Sequence, residues 1–317
     1  MNKKLLIIGK IPPPIGGVTI HVNRLINHLK YEQINFQFLD LSKFKAFEFV
    51  KAIKDCKVIH CHSNNRHFLL FCALYTKFFK SKLIITIHGN TYSKGWIHSI
   101  SEKFAIKYAY IPIVLNKGSY NYAKRLNSRT EIISSFIPPI EKETILPEHI
   151  LEQVEILQKS TIKLFCSNAS SFALDCNKQE IYGINNLIEI FKNITEYGLI
   201  ISDPSYEYAK KNKLLPANII IISEPHSFSG ILLNCDAFIR ATTTDGDSIS
   251  IKEALFYKKD VIATDCVSRP RGTLTYKTGD WEMLYTIIKK IPIEKEIPVR
   301  SPTNGFIELL NIYKVLM

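Results

Sequence analysis

The densest chemistry lies in one stretch, Phe238-Ile-Arg-Ala-Thr-Thr-Thr-Asp-Gly-Asp-Ser-Ile-Ser-Ile-Lys-Glu-Ala-Leu. An apolar run ends at Arg240, a polar loop follows, and helical spacing begins around Ser248. Asp245 stands in the loop and Glu253 inside the helix, with seven residues between them. Amides that open a helix lack intrahelical acceptors, and with the helix dipole they attract an anion. A diphosphate seated there has a carboxylate on each side, and each can accept hydrogen bonds from hydroxyl groups. That layout suits a ligand charged in its middle with hydroxyls at both ends, such as a nucleotide sugar. The plainer alternative makes Asp245 or Asp247 a helix cap and leaves Glu253 in solvent.

A second candidate follows the first apolar run: Gly9-Lys-Ile-Pro-Pro-Pro-Ile-Gly-Gly-Val-Thr-Ile-His. It contains neither the G-x-G-x-x-G of dinucleotide sites nor a Gly-Lys-Ser/Thr phosphate loop. Gly16 and Gly17 still open a helix, where the backbone can approach an anion closely. The alternative is a helix-start turn with no ligand. Histidines form the third group. His60 and His62 end one apolar run and share a side by the period of two. No carboxylate accompanies them, so a metal is not expected there. His88, followed by Gly89, ends another run; imidazole beside a glycine has room to bond a sugar or phosphate oxygen. A structural role in the strand is the simpler reading of each.

Strands must carry these groups, and the pattern supplies them. Leu5–Gly9, Phe36–Leu39, Val58–His62, Leu83–His88, Ile111–Leu115 and Ile132–Phe136 read as strands, with amphipathic stretches such as Val18–Leu29 between them. Pro138-Pro139 and the charged stretch through Glu155 read as a linker. The alternation then restarts with strands at Lys163–Ser167, Leu199–Ser202, Ile219–Ile222, Ala237–Ile239 and Val261–Thr264. Helices are expected at Ile181–Ile194 and Phe306–Leu316. Strands alternating with helices indicate βαβ units and parallel sheets, so two Rossmann-like domains are expected. Ligands of such sheets bind beyond the carboxyl ends of strands, where the three candidate groups lie.

Composition narrows the classes. The 317 residues hold 41 Lys and Arg against 29 Asp and Glu, a net charge of +12. Residues 1–150 hold 22 basic and 9 acidic residues, whereas residues 151–317 hold 19 and 20, so the excess belongs to the first half. No stretch approaches the roughly 18 apolar residues of a membrane-spanning helix. The opening apolar run is too short for a secretory signal. Seven scattered cysteines form no disulfide framework, and a reducing cytoplasm is the expected compartment.

Taken together, Gly16-Gly17-Val18-x-x-His21, His88-Gly89 and the Asp245-x7-Glu253 motif resemble the retaining GT-B glycosyltransferases of family 4, or glycosyl transferases group 1. Thr244-Asp-Gly-Asp-Ser and Arg269-Pro-x-Gly272 are similar to the bacterial surface-polysaccharide type. The resemblance covers nearly the whole chain; its first acid is usually Glu, and here it is Asp. It implies an α/β GT-B fold, two Rossmann-like domains facing across a cleft. These would be a basic acceptor-side domain over 1–150, a nucleotide-sugar domain over 151–302, and a helix over 303–317 packing back towards the first. Glu253 would hold the ribose, and Asp245 and His88, as catalytic residues, the donor sugar. Gly246, Asp247, Ser248 and Ile249 would lie at the diphosphate, with Gly16 and Gly17 opposite and His21 towards the acceptor. The cation for the diphosphate would be Lys178 or Arg240, with Arg269 and Arg271 as alternatives. The implied reaction is hexosyl transfer, with retention, from a nucleoside-diphosphate sugar, a UDP-sugar first, to a glycan on polyprenyl diphosphate during polysaccharide biosynthesis. No cofactor and no metal are expected. The protein would be peripheral on the inner face of the cell membrane. Segment 42–57, with Phe44, Phe47, Phe49 and Val50 among lysines, would rest on the anionic membrane surface; a solvated amphipathic helix is the alternative. An epimerase of the same fold is a second reading. A nucleic-acid-binding protein is a distant third, since no arginine-rich arm or known module appears.

Overall fold

Apolar strands between amphipathic helices are buried only when helices cover both faces of a parallel sheet. The computed structural model, which describes residues 4–43, 45–89, 96–290 and 301–317, builds this arrangement twice. One unit comprises Met1–Ile137 with Thr303–Met317, and the other Pro138–Pro302.

The first unit contains β1 (Lys4–Gly9), α1 (Gly17–Tyr31), β2 (Phe36–Asp40), α2 (Ala46–Asp55), β3 (Cys56–His62) and α3 (Arg66–Phe78). It continues through β4 (Lys82–Ile87), α4 (Trp96–Tyr108), β5 (Ile111–Val114), α5 (Lys117–Leu126) and β6 (Glu131–Ile132). Its sheet is parallel, in the order β2-β1-β3-β4-β5-β6. Alternate residues of one strand enter opposite cores: Leu6 and Ile8 join Ile59 and Leu83 on one face. Leu5 and Ile7 join Val58 and Ile84 on the other.

The second unit contains α6 (Glu148–Ser160), β7 (Lys163–Asn168), α7 (Ile184–Lys192), β8 (Tyr197–Ser202), α8 (Glu207–Lys211) and β9 (Ile219–Ile222). It ends with α9 (Phe228–Leu233), β10 (Ala237–Arg240), α10 (Ile249–Phe256), β11 (Asp260–Thr264), β12 (Thr273–Tyr276) and α11 (Trp281–Ile288). The sheet is again parallel, in the order β12-β11-β10-β7-β8-β9. A last helix, α12 (Gly305–Leu316), belongs to the first unit, where Phe306, Leu309 and Tyr313 enter the core beside Leu5 and Val58. No helix among the described residues is long and apolar enough to cross a membrane.

Two expectations change. From Glu148 onward the charged stretch read as linker is α6, whose Ile150, Val154 and Leu157 recur at helical spacing and are buried. The strand expected over Ile132–Phe136 stops at Ile132. Beyond it the carbonyls of Ser135 and Phe136 accept from the His21 ring and the Gly305 amide, at 2.7 and 2.8 Å. With those partners the backbone has no need of a ladder.

Each strand order reverses once, between β1 and β3 and between β7 and β10. Crevices open beyond the carboxyl ends at such switch points. The second is held tightly by Gly183, the N-cap of α7 at φ +65°. A β-carbon there would lie 2.5 Å from the Ala241 carbonyl oxygen and 2.8 Å from the Trp281 ring. We predict that Gly183→Ala destabilises this unit by about 2–4 kcal/mol, through left-handed strain and overpacking, read as a lower urea midpoint.

Candidate functional site

At the β7/β10 switch point the sequence places Asn168 and Arg240 at neighbouring strand ends. Arg240 meets Asp245 through two bonds, Nε to Oδ2 at 3.1 Å and Nη2 to Oδ1 at 3.2 Å. Arg269, arriving after β11, donates Nη1 to the same Oδ2 at 2.7 Å. Its Nε is fixed on the Thr264 carbonyl at 2.8 Å. Asp245 is therefore clamped between two guanidinium groups, and all three side chains are largely buried. Burial alone raises the Asp245 carboxyl, but the two arginines outweigh it and hold the group below the usual carboxylate range. The cluster keeps a surplus of one positive charge.

The clamp is tied to the start of α10. Arg240 Nη1 donates to both oxygens of Asn168, at 3.3 and 3.2 Å, and Asn168 Nδ2 donates to Ser250 Oγ at 2.7 Å. Ser248 is the N-cap, accepting from the Ile251 amide. A β-carbon on Gly246 would meet nothing within 4 Å, so the loop backbone is open to a ligand there. Cationic side chains thus stand beside a helix start, an electrostatic setting for an anion.

Glu253 is not a solvated helix residue. It is 3% exposed and accepts from Ser229 Oγ at 2.6 Å. Asp247 pairs with Lys252, while Ile249 opens α10. Lys178 is not a member of the clamp; it is exposed in the turn from Asp175 to Gln179. Asp245 and Asp247 also stand at Asp-x-Asp spacing, at which two carboxylates can share a divalent cation; the expectation of no metal takes such a motif to be missing, and it is present. Both are already paired with cationic side chains. Asn168, Ser250 and Ser229 are further members of the site that sequence reasoning missed; only Asn168, at the end of the strand opening the second unit, carried a positional signal.

In the first unit the β1/β3 switch point gathers histidines. His21 of α1 is buried and its Nδ1 donates to the Ser135 carbonyl at 2.7 Å. His62, at the end of β3, has Nδ1 3.1 Å from Nε2 of His88. The three rings lie 5.1–5.4 Å apart by centroid. His60 shares its strand side with His62, as the period of two requires, but its nitrogens are taken by Tyr313 and Thr86, at 2.5 and 2.7 Å. It is a core residue. Burial, reinforced by the neighbouring histidines, holds His62 and His88 well below the ordinary histidine range, with Arg66 adding to the shift of His88. Near neutral pH they are uncharged, able to donate at one nitrogen and accept at the other.

Among the described residues this trio is the group placed to hold a metal, with one ligand nitrogen of each within 4.8 Å of the others. A tetrahedral zinc ion sets its nitrogens about 3.3 Å apart, so hydrogen bonding suits the trio better as it stands. Beside it lies a cavity of about 470 Å³, lined by Lys10, Thr19, His62, Asn65 and Phe68 among others. Gly16 is the extended N-cap of α1, and a β-carbon there would meet nothing within 4 Å.

No protein-family model matches the chain, and no curated protein does either. Solved structures do match. Alr3699/HepE of Anabaena, in complex with UDP and glucose, superposes with a TM-score of 0.68 at 13% identity, covering 99% of both chains. The fold is GT-B. Sucrose-phosphate synthase from Thermosynechococcus elongatus is similar at a TM-score of 0.65 and 14% identity, again over 99% of each chain. MnaA of S. aureus, solved with UDP, matches at 0.63 and 13%, over 99% of this chain and 98% of that one. A GT-B chain consists of two Rossmann-like units, and both sheets described above fit that pattern.

The histidine shifts set a pH dependence. Folded-state values of His62 and His88 lie below the unfolded value of about 6.5, so as pH falls the unfolded chain takes up protons first. Their contribution to stability is complete above that value and is lost as pH falls towards the folded values. The melting temperature should therefore drop between about pH 7 and pH 5. His62→Asn should flatten that drop, which a thermal melt series will show.

Proposed function

We propose that the chain is a glycosyltransferase that moves a sugar from a nucleoside-diphosphate sugar to a hydroxyl of a glycan. The observation that carries this reading is the Arg240–Asp245–Arg269 clamp at the start of α10. When a glycosidic bond to a diphosphate breaks, negative charge grows on the leaving oxygen. Fixed cations and helix-end amides in a partly dry site stabilise that charge without reorganising. In this reading Asp245 also reaches the donor sugar, while Glu253, with Ser229, lies at the ribose. Gly246 to Ile249 line the diphosphate. The two arginines, rather than the exposed Lys178, supply the cationic charge. Transfer proceeds with retention and without a protein nucleophile, and no metal takes part at the diphosphate.

The first unit takes the acceptor. The cavity beside His62 combines one cation, Lys10, with polar side chains and the Phe68 ring, a mixture that suits a sugar's hydroxyls and apolar face. His62, uncharged near neutral pH, is the imidazole in its wall, and His88 bonds to that ring at 3.1 Å. The acceptor is a glycan carried on polyprenyl diphosphate in surface-polysaccharide synthesis, reached at the cytoplasmic face of the membrane. UDP is the first nucleotide to try, because HepE and MnaA were solved with it.

A second reading, epimerisation of a UDP-sugar, is favoured by likeness to a putative UDP-N-acetylglucosamine 2-epimerase from Listeria monocytogenes, with a TM-score of 0.62 at 13% identity. Labelled nucleotide sugar separates the two, since epimerisation needs no acceptor and transfer does. For the donor site, calorimetry with UDP is the direct test. Arg269→Ala should weaken binding by about 10–100-fold, the worth of a hydrogen bond to a charged group. If no nucleoside diphosphate or its sugar binds the unaltered protein, the proposed function is wrong.

A further inference from the structure

The first unit carries an apolar surface that its core does not explain. On α3 the side chains of Phe71, Leu74 and Phe78 are 46%, 51% and 80% exposed. Their spacing places them in one stripe along the helix, opposite the buried Leu69, Cys72, Ala73 and Thr76. Neighbouring α4 exposes Ile100 and Phe104, one turn apart, and α2 exposes Phe47. The helices lie side by side. His67 bonds to Ser101 at 2.9 Å and Lys77 sits 4.8 Å from the Tyr108 ring, joining α3 to α4. Phe49 lies 5.6 Å from Phe71, joining α2 to α3.

Charge identifies the occupant. Lys51, Lys54, Lys77, Lys80, Lys103 and Lys107 stand exposed on these helices or directly after them. Of their acids, Glu102 is buried against Arg66 and Glu48 is paired with Lys45. Only Asp55 is left to offset the lysines. Apolar side chains within a ring of lysines suit a surface with acyl chains at its centre and anionic headgroups around them, and lysine stems can reach outwards to those headgroups. A second copy of the same face would set lysines against lysines.

We propose that the outward face of α3 and α4, continued by Phe47 of α2, docks on an anionic lipid bilayer. This deepens the membrane part of the proposed function and rests on it for the choice of lipid. It also moves the contact. The segment 42–57 singled out from the sequence supplies its edge, because Phe49 is in the core, and Phe44 lies outside the described residues.

Flotation with vesicles of phosphatidylglycerol and phosphatidylcholine, against phosphatidylcholine alone, tests the proposal. The full chain should float with the anionic vesicles and not with the neutral ones. The variant Phe71→Ser/Leu74→Ser/Phe78→Ser should lose at least about tenfold in partitioning, as expected when three large side chains no longer enter the lipid. Lys77→Glu/Lys103→Glu should lose a similar factor. Circular dichroism of both variants should match the unaltered chain. Failure of the unaltered chain to float with anionic vesicles overturns the proposal, as does undiminished flotation of the serine variant. A dimer in sedimentation that the serine variant dissociates assigns the face to a second copy instead, and also overturns it. UDP stabilisation is measured in parallel: flotation without it supports the surface while counting against the donor reading, and stabilisation without flotation does the reverse.

Discussion

In a parallel sheet every strand runs the same way, so all the loops that leave carboxyl ends emerge along one edge. Both faces must be covered by helices for the strands to be buried, which leaves that edge as the place where polar side chains can gather. The remaining structure follows from this constraint. Where strand order reverses, adjacent loops part in opposite directions, and the opening between them receives the end residues of two strands. In the second unit these are Asn168 and Arg240; in the first they are the loop after Gly9 and His62. The same rule, applied to two unrelated sets of residues, yields two candidate sites.

Their electrostatics differ. The second unit invests in fixed charge: a carboxylate binds two guanidiniums, so that the cations are oriented before any ligand arrives. Removing Asp245 would leave buried cations unpaired, which is why the arrangement is a scaffold as much as a recognition surface. The first unit does the opposite. It buries the imidazoles of His62 and His88 until they are neutral and uses them as directional hydrogen-bonding groups, with the Ser135 carbonyl orienting the ring of His21. Neutral groups select by geometry, whereas charged ones select by sign as well.

Much of this was legible in the residues. Apart from β6 and from β12, which the reading left out, apolar runs at strand spacing located the strands to within a residue or two, because a strand buried on both faces has little compositional freedom. The loop from Arg240 to Glu253 was legible for a similar reason: a dense polar segment after an apolar run has few structural explanations. Side-chain partnerships were not. Nothing in the spacing says that Arg269 crosses to Asp245, that Ser229 meets Glu253, or that His62 joins His21 and His88 while His60 turns to Tyr313. Those pairings depend on loop paths and on the register between strands far apart in sequence. The end of β6 was misread because the carbonyls of Ser135 and Phe136 found partners outside the sheet.

Helix α12 gives the first unit a discontinuous chain. Its Phe306, Leu309 and Tyr313 fill the core against Leu5 and Val58, and the Tyr313 hydroxyl reaches His60. During synthesis these residues emerge only after the whole second unit has been made. The second unit, continuous in sequence, can close on itself first, as domains do while the chain lengthens. The first must wait with that face of its sheet covered only in part, by α1. Order of assembly therefore reverses order of synthesis: the half that leaves the ribosome first is the last to be finished, and its half-covered sheet face is where a stalled or shortened chain would be caught by proteases and chaperones.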